Sequence, residues 1–158
     1  MEFHHIPVFA AECMELLAPE RGGIYVDCTA GGGGHSYEIA KRLPSGGRLI
    51  SIDRDDDAIE ACSERLREFA DRFTIVKSNY SEVGDVLDRL GIEKINGIMW
   101  DLGVSSHQLD DAGRGFSYSA DAPLDMRMDR TCGITAEDVV NTHRENEIAK
   151  IIRDYGEE

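Results

Sequence analysis

Four short apolar runs, separated by stretches whose apolar residues recur at helical spacing, restrict this chain to an alternating strand-helix layer. Ile24-Tyr25-Val26-Asp27-Cys28 reads as the first strand, and residues 36–43 as a helix stopped by the turn Pro44-Ser45-Gly46-Gly47. Arg48 to Asp53 follows as the second strand, after which Ile59, Cys62, Leu66 and Phe69 share a helical face. Phe73-Thr74-Ile75-Val76 is the third strand, and Val83, Val86, Leu87 and Leu90 mark the next helix. Ile95 to Trp100 is the fourth, and its near-continuous apolar character predicts an interior place in a parallel sheet. Right-handed crossovers then make the fold a doubly wound α/β layer, and 158 residues suffice for one such domain.

Beyond Asp101 the pattern changes. Leu102 to Cys132 carries Gly, Ser, Asp and Pro without sustained periodicity, the mark of a lid or binding segment. Thr135 with an acid three residues on predicts a capped helix start, and Ile148, Ile151 and Ile152 belong to a last helix over 145–155. The domain boundary is therefore placed between 1–106 and 107–158.

Charge and cysteine usage narrow the function classes. Asp and Glu total 31 against 17 Lys and Arg, a net charge of -14 that repels a phosphate backbone and weighs against nucleic acid on composition alone. No apolar run approaches the roughly 20 residues of a spanning helix, and Met1-Glu2-Phe3-His4-His5 lacks the basic-then-apolar order of a signal peptide, so a cytoplasmic protein without membrane partners is expected. Cys13, Cys28, Cys62 and Cys132 form no C-x-x-C pair and are expected as reduced core thiols. His4, His5 and His143 have no acid or cysteine at ligand spacing, so no metal is expected.

The chemistry-bearing signal is Asp27-Cys28-Thr29-Ala30-Gly31-Gly32-Gly33-Gly34-His35-Ser36, a glycine turn between the first strand and its helix. Such a turn lets main chain approach a ligand closely, and the helix start offers unpaired N–H groups. The dinucleotide pattern G-x-G-x-x-G fails, since its third glycine falls on Ser36 or Tyr37. Asp53 ends the second strand roughly 20 residues on, where a carboxylate can accept from ribose hydroxyls. Together they point to a nucleoside-type cofactor. Tyr80, after the third strand, either sets a ring against adenine or staples a capped helix. Asp101 reaches the same sheet edge and can orient a donor or take a proton, with Ser105, Ser106, His107 and Gln108 as further hydrogen-bonding groups.

With these residues in view, His5-Ile6-Pro7-Val8, Gly33-Gly34-His35-Ser36, Ile52-Asp53-Arg54-Asp55, Asp101-Leu102-Gly103-Val104-Ser105-Ser106, Gln108-Leu109-Asp110-Asp111, Arg114-Gly115-Phe116-Ser117 and Pro123-Leu124-Asp125-Met126-Arg127-Met128-Asp129 resemble the MraW-type (RsmH) ribosomal RNA small-subunit methyltransferases. The resemblance implies a Rossmann-like class I methyltransferase core of four parallel strands followed by the start of a helical insertion. It implies S-adenosylmethionine as cofactor, held by Gly33, Gly34, His35, Asp53, Tyr80, Asp101 and Gln108, and N4-methylation of a decoding-region cytidine in 16S rRNA of the small ribosomal subunit. Phe116, Tyr118 and Arg127 are the candidates, by residue type, for holding a flipped base. No general base is assigned.

Family members run to roughly twice this length, so the resemblance further implies a truncated form with weak cofactor binding and an open edge on the fourth strand that favours self-association. Two rival readings use the same turn: a small-molecule S-adenosylmethionine methyltransferase, which suits the acidic charge, and a non-catalytic cofactor-binding or interaction fragment.

Overall fold

The computed structural model describes residues 7–156, which divide into two compact units between Gly103 and Val104. In the first unit, α1 (Ala10–Leu17), β1 (Ile24–Asp27), α2 (Gly34–Arg42), β2 (Arg48–Asp53), α3 (Asp56–Arg65), β3 (Phe73–Lys77), α4 (Val83–Arg89) and β4 (Gly97–Met99) follow in order. The sheet runs β3-β2-β1-β4 with every pairing parallel, and Val26 lies between Ile50 and Ile98. This is the Rossmann-like arrangement expected from the periodicity.

Side-chain alternation along the strands supplies both faces of the sheet. Tyr25, Leu49 and Met99 join Ile39 and Ala40 of α2, Cys62 of α3 and Met14 of α1 in one buried cluster. Val26, Ile50 and Ile52 join Val86 of α4 in the other. Local signals agree with this packing. The Asp55 carboxylate accepts from the Asp57 N–H at the start of α3, while Arg65 sits in that helix's last turn, each charge opposing the nearer end of the helix dipole.

Two expectations need correction, and one element was not anticipated. β4 is an edge strand, against the interior place read from its apolar run and in line with the open edge that the resemblance implied: among the described residues it pairs with β1 alone. Its apolar sequence reflects cover on both faces, since Met99 enters one core cluster and Ile98 packs on the other, and cover above and below says nothing about lateral neighbours. Helix α1 was not anticipated, although Cys13, Met14 and Leu17 carry a helical spacing and all three pack in the first cluster. Of the four thiols only Cys28 and Cys62 are buried; Cys13 is half-buried and Cys132 is exposed, the latter donating to the Asp129 carboxylate. His4 and His5 lie outside the described residues.

The second unit holds α5 (Ser106–Asp110), α6 (Ala136–Thr142) and α7 (Glu145–Tyr155). The predicted cap of α6 is present as a reciprocal pair: Thr135 Oγ1 accepts from the Asp138 N–H, and Asp138 Oδ2 accepts from the Thr135 N–H. The aperiodic stretch before it is organised by polar bonds. Arg114 is fully buried and its Nη2 donates to the carbonyls of Arg127 and Met128, while the Met126 N–H donates back to the Arg114 carbonyl. Gly115 is left-handed at φ +72°, and a Cβ there would stand 2.3 Å from the Pro123 carbonyl oxygen. Asp125 closes the segment on Arg127, accepting from its Nε and Nη2 at 2.8 Å each and from its main-chain N–H at 3.0 Å.

The Arg127 guanidinium pulls the Asp125 carboxyl down to about 2. A carboxylate whose folded value lies below its unfolded one, about 3.9, stabilises the fold above that unfolded value and loses the contribution as pH falls through the folded one. Protection of the Arg127 amide, measured by NMR hydrogen exchange, is therefore expected to decline between about pH 4 and pH 2. Asp125→Asn should start from lower protection at pH 6 and show no further loss over that window. Removing the buried donor in Arg114→Leu strands two carbonyls and should lower the second unit's stability by about 2–4 kcal/mol, checked by urea unfolding.

Candidate functional site

Because all four strands run the same way, their carboxyl ends share one edge of the sheet, where open α/β layers bind ligands. β1 ends there in Asp27, which is wholly buried. Burial raises its pKa above the ordinary carboxyl value, opposed by hydrogen bonds from the Ser36 hydroxyl at 2.7 Å and the Thr29 N–H at 3.1 Å and by the nearby His35. The Ser36 and Ser51 hydroxyl oxygens are 2.7 Å apart. Ser36 gives its one proton to Asp27, so Ser51 donates to Ser36. This chain fastens the start of α2 to the ends of β1 and the middle of β2.

Above it runs the glycine turn. Gly31 and Gly33 are left-handed at φ +49° and +76°, and a Cβ on Gly33 would stand 3.2 Å from Cys62 Sγ and 3.1 Å from Leu66 Cδ1. Glycine thus lets the turn descend onto α3. Gly33 is also the N-cap of α2 and has no side chain to satisfy the first-turn N–H groups, which remain directed at whatever lies beyond the helix start. Arg65 of α3 holds the turn from below, its Nη1 donating to the Gly32 carbonyl.

Asp53, at the end of β2, bonds directly to this turn: its Oδ2 accepts from the Gly31 N–H at 2.9 Å and its Oδ1 from the Asp55 N–H at 3.0 Å. A carboxylate has about four acceptor sites, so two remain for a ligand. Asp101, just past β4, is tied to the same segment twice. Its N–H donates to Thr29 Oγ1 at 2.7 Å, and its Oδ2 stands 3.6 Å from Nε2 of His35. The His35 side chain is 7% exposed and that of Asp101 50%, so the pair has a sealed end and an open one.

The structure therefore brings Gly33, Gly34, His35, Asp53 and Asp101 together at one edge. Tyr80 occupies the turn after β3 at the same edge; Asn79 caps that turn through Ser81, and the ring is 44% exposed. Gln108 belongs to the second unit, where it is buried and completes the cap of α5, its Oε1 accepting from the Ser105 N–H. Phe116, Tyr118 and Arg127 also belong to that unit. Tyr118 is fully exposed beside a cavity of about 470 Å³ that Gly115, Pro123 and Leu124 help line, whereas the Arg127 guanidinium is engaged by Asp125. Sequence reasoning gave no role to Asp27, Thr29, Ser36 or Ser51. The usable signal was an acid ending an otherwise apolar strand, because an ionisable group is buried there only with partners supplied. Among the described residues no group of His, Cys, Asp and Glu is arranged to hold a metal ion.

Burial pushes the Cys28 and Cys62 thiols up to about 12. At pH 8 a disulfide reagent should therefore modify exposed Cys132 rapidly and leave Cys28 and Cys62 unmodified until denaturant is added, as read by mass spectrometry of the labelled peptides.

The family model described as the MraW methylase family matches residues 2–158. Over 159 aligned residues the chain is 62% identical to ribosomal RNA small subunit methyltransferase H 2 of Agathobacter rectalis, covering all of this chain and 51% of that protein. It is 56% identical to ribosomal RNA small subunit methyltransferase H of Symbiobacterium thermophilum, covering all of this chain and 50% of that one. The chain spans about half the length of the curated relatives it matches. Among solved structures, the O-methyltransferase TomG of Streptomyces achromogenes in complex with SAM superposes with a TM-score of 0.53 at 24% identity, over 62% of this chain and 45% of that one. An O-methyltransferase from Bacillus cereus in complex with SAH gives 0.54 at 16%, over 63% and 47%. These likenesses are of fold.

Proposed function

The chain belongs to the MraW methylase family, and from that membership we propose that its carboxyl-edge turn binds S-adenosylmethionine for N4-methylation of a cytidine in the decoding region of 16S rRNA, within the small ribosomal subunit. The observation that carries this reading is the Asp53 carboxylate locked by the Gly31 and Asp55 N–H groups with two acceptor sites left over. Those sites suit the two hydroxyls of a ribose. The N–H groups where α2 begins, at Gly34 and His35, have no partner among the described residues and suit the carboxylate of the amino-acid moiety. The exposed ring of Tyr80 suits the adenine face. Gln108 is a further contact by resemblance to the family.

The cofactor would supply a methyl group on a positively charged sulfonium. What remains for the protein is orientation and proton handling, since an aromatic amine has a delocalised lone pair and leaves the reaction with a proton to lose. Asp101, half exposed at the end of β4, is the carboxylate placed for that task. Phe116 and Tyr118 are the aromatic candidates for stacking on an extruded base, Tyr118 being fully exposed. The net charge of -14 favours the competing small-molecule reading, because it offers an RNA backbone no attraction at long range. The names of the relatives favour rRNA.

Calorimetry is expected to show one S-adenosylhomocysteine bound per chain. Asp53→Ala should weaken it tenfold or more, consistent with the about 1.5–3 kcal/mol of a hydrogen bond to a charged group, with circular dichroism unchanged. Binding of NAD in its place, or undiminished affinity in Asp53→Ala, would refute the cofactor assignment. Transfer of labelled methyl to small ribosomal subunits and not to a metabolite extract supports the rRNA substrate, and the reverse supports the small-molecule reading.

A further inference from the structure

Among the described residues, one buried side-chain nitrogen of the cradle has no hydrogen-bond partner. His35 Nδ1 is buried and has none among the described residues, while Nε2 of the same ring faces the Asp101 carboxylate at 3.6 Å. The two nitrogens therefore experience opposite surroundings, and among the described residues that favours one tautomer. A proton on Nδ1 would be a buried donor with no acceptor, and a lone pair on Nε2 would face a carboxylate. A proton on Nε2 instead points at the carboxylate and leaves only an unpaired lone pair inside. The one other acid that interacts with the ring is Asp27, whose carboxylate already accepts from Ser36 and Thr29.

Asp101 is thus held from two sides by the segment joining β1 to α2: its main chain by the Thr29 hydroxyl, its side chain by the His35 ring. At 3.6 Å the second contact is longer than a hydrogen bond, as catalytic contacts often are before a ligand closes the site. We propose that His35 is a positioning residue, a neutral Nε2–H donor that fixes one oxygen of Asp101 so that the other receives the proton released by the substrate amine. The inference rests on the methyl-transfer reading for the identity of that amine. As nitrogen forms its new bond to the methyl carbon, the carbon–sulfur pair stays on sulfur. The amine's N–H bond then breaks with its electrons left on nitrogen, and the proton becomes the O–H of Asp101, to be passed on to solvent through the exposed side of that carboxyl.

Long-range proton–nitrogen NMR of the chain saturated with S-adenosylhomocysteine reads the tautomer directly. A neutral ring protonated on Nε2 is expected at pH 7.5, and Asp101→Ala should shift the population toward the Nδ1–H form. A ring protonated on Nδ1 in the unsubstituted chain would overturn the proposal, whether or not methyl transfer is ever observed. For kinetics, the position aligned with His35 is substituted in the full-length relative from Agathobacter rectalis, with small ribosomal subunits as acceptor. Leucine there should lower kcat about 10- to 100-fold with cofactor Kd changed less than about threefold. Glutamine, whose amide N–H reaches as far as Nε2, should restore kcat to within about threefold of the unsubstituted enzyme. Equal losses in leucine and glutamine variants, or a loss confined to cofactor Kd, would reduce His35 to a wall of the pocket. If the unsubstituted relative transfers no methyl group to the subunits while the ring is protonated on Nε2, the substrate reading fails and the His35–Asp101 pairing stands.

Discussion

A carboxylate with no solvent around it, Asp27, is the point on which the cradle depends. An unpaired charge at that depth would cost many kcal/mol, so the fold has to bring it donors. It brings the Ser36 hydroxyl, backed by Ser51, and the Thr29 N–H. Satisfying Asp27 consequently places the first turn of α2, the glycine turn and β2 relative to one another. The same Thr29 then offers its hydroxyl to the main chain of Asp101, carrying the constraint across to β4. A single buried carboxyl group thereby ties the end of β1 to the start of α2, the middle of β2 and the residues just past β4.

The layer itself was legible because apolar periodicity reports burial directly: β1, β2 and β3 lie within a residue of where the pattern puts them, and α7 spans the expected residues. Lateral order was not legible. Periodicity distinguishes the two faces of a strand and carries no information on how many strands flank it, which is why β4 read as interior. The cofactor edge was half legible. The glycine turn and Asp53 were paired by their distance along the chain and are joined by a hydrogen bond from Gly31, whereas Thr29, Ser36 and Ser51 are residue types too common to be noticed until a buried acid gathers them.

The second unit shows the complementary failure. From Gly115 to Ile134 it contains neither helix nor strand, and a search for apolar repeats finds a loop. Its order comes from a buried guanidinium, a left-handed glycine and an Asp–Arg clamp. Such bonds leave no period in the sequence; composition marked the segment as a binding loop, and the resemblance to a family picked out its motifs. Gln108, proposed as a cofactor contact, is also the third helical residue of the α5 capping box.

The strand order has a consequence for how the molecule is made. Strands β1, β2 and β3 pair with neighbours roughly 25 residues away, so that much of the sheet can assemble while later residues are still being synthesised, at a modest loop-closure cost. β4 must return across about 70 residues to the opposite flank of β1, a slow, non-local step that waits on translation. The nascent chain therefore passes through a stage at which the Gly31–Asp53 latch is closed while the residue bonded to Thr29 has yet to arrive. The closed Gly31–Asp53 latch can thus precede the Thr29–Asp101 bond within a single polypeptide's birth, and the two are separated by the time the ribosome takes to add the fourth strand.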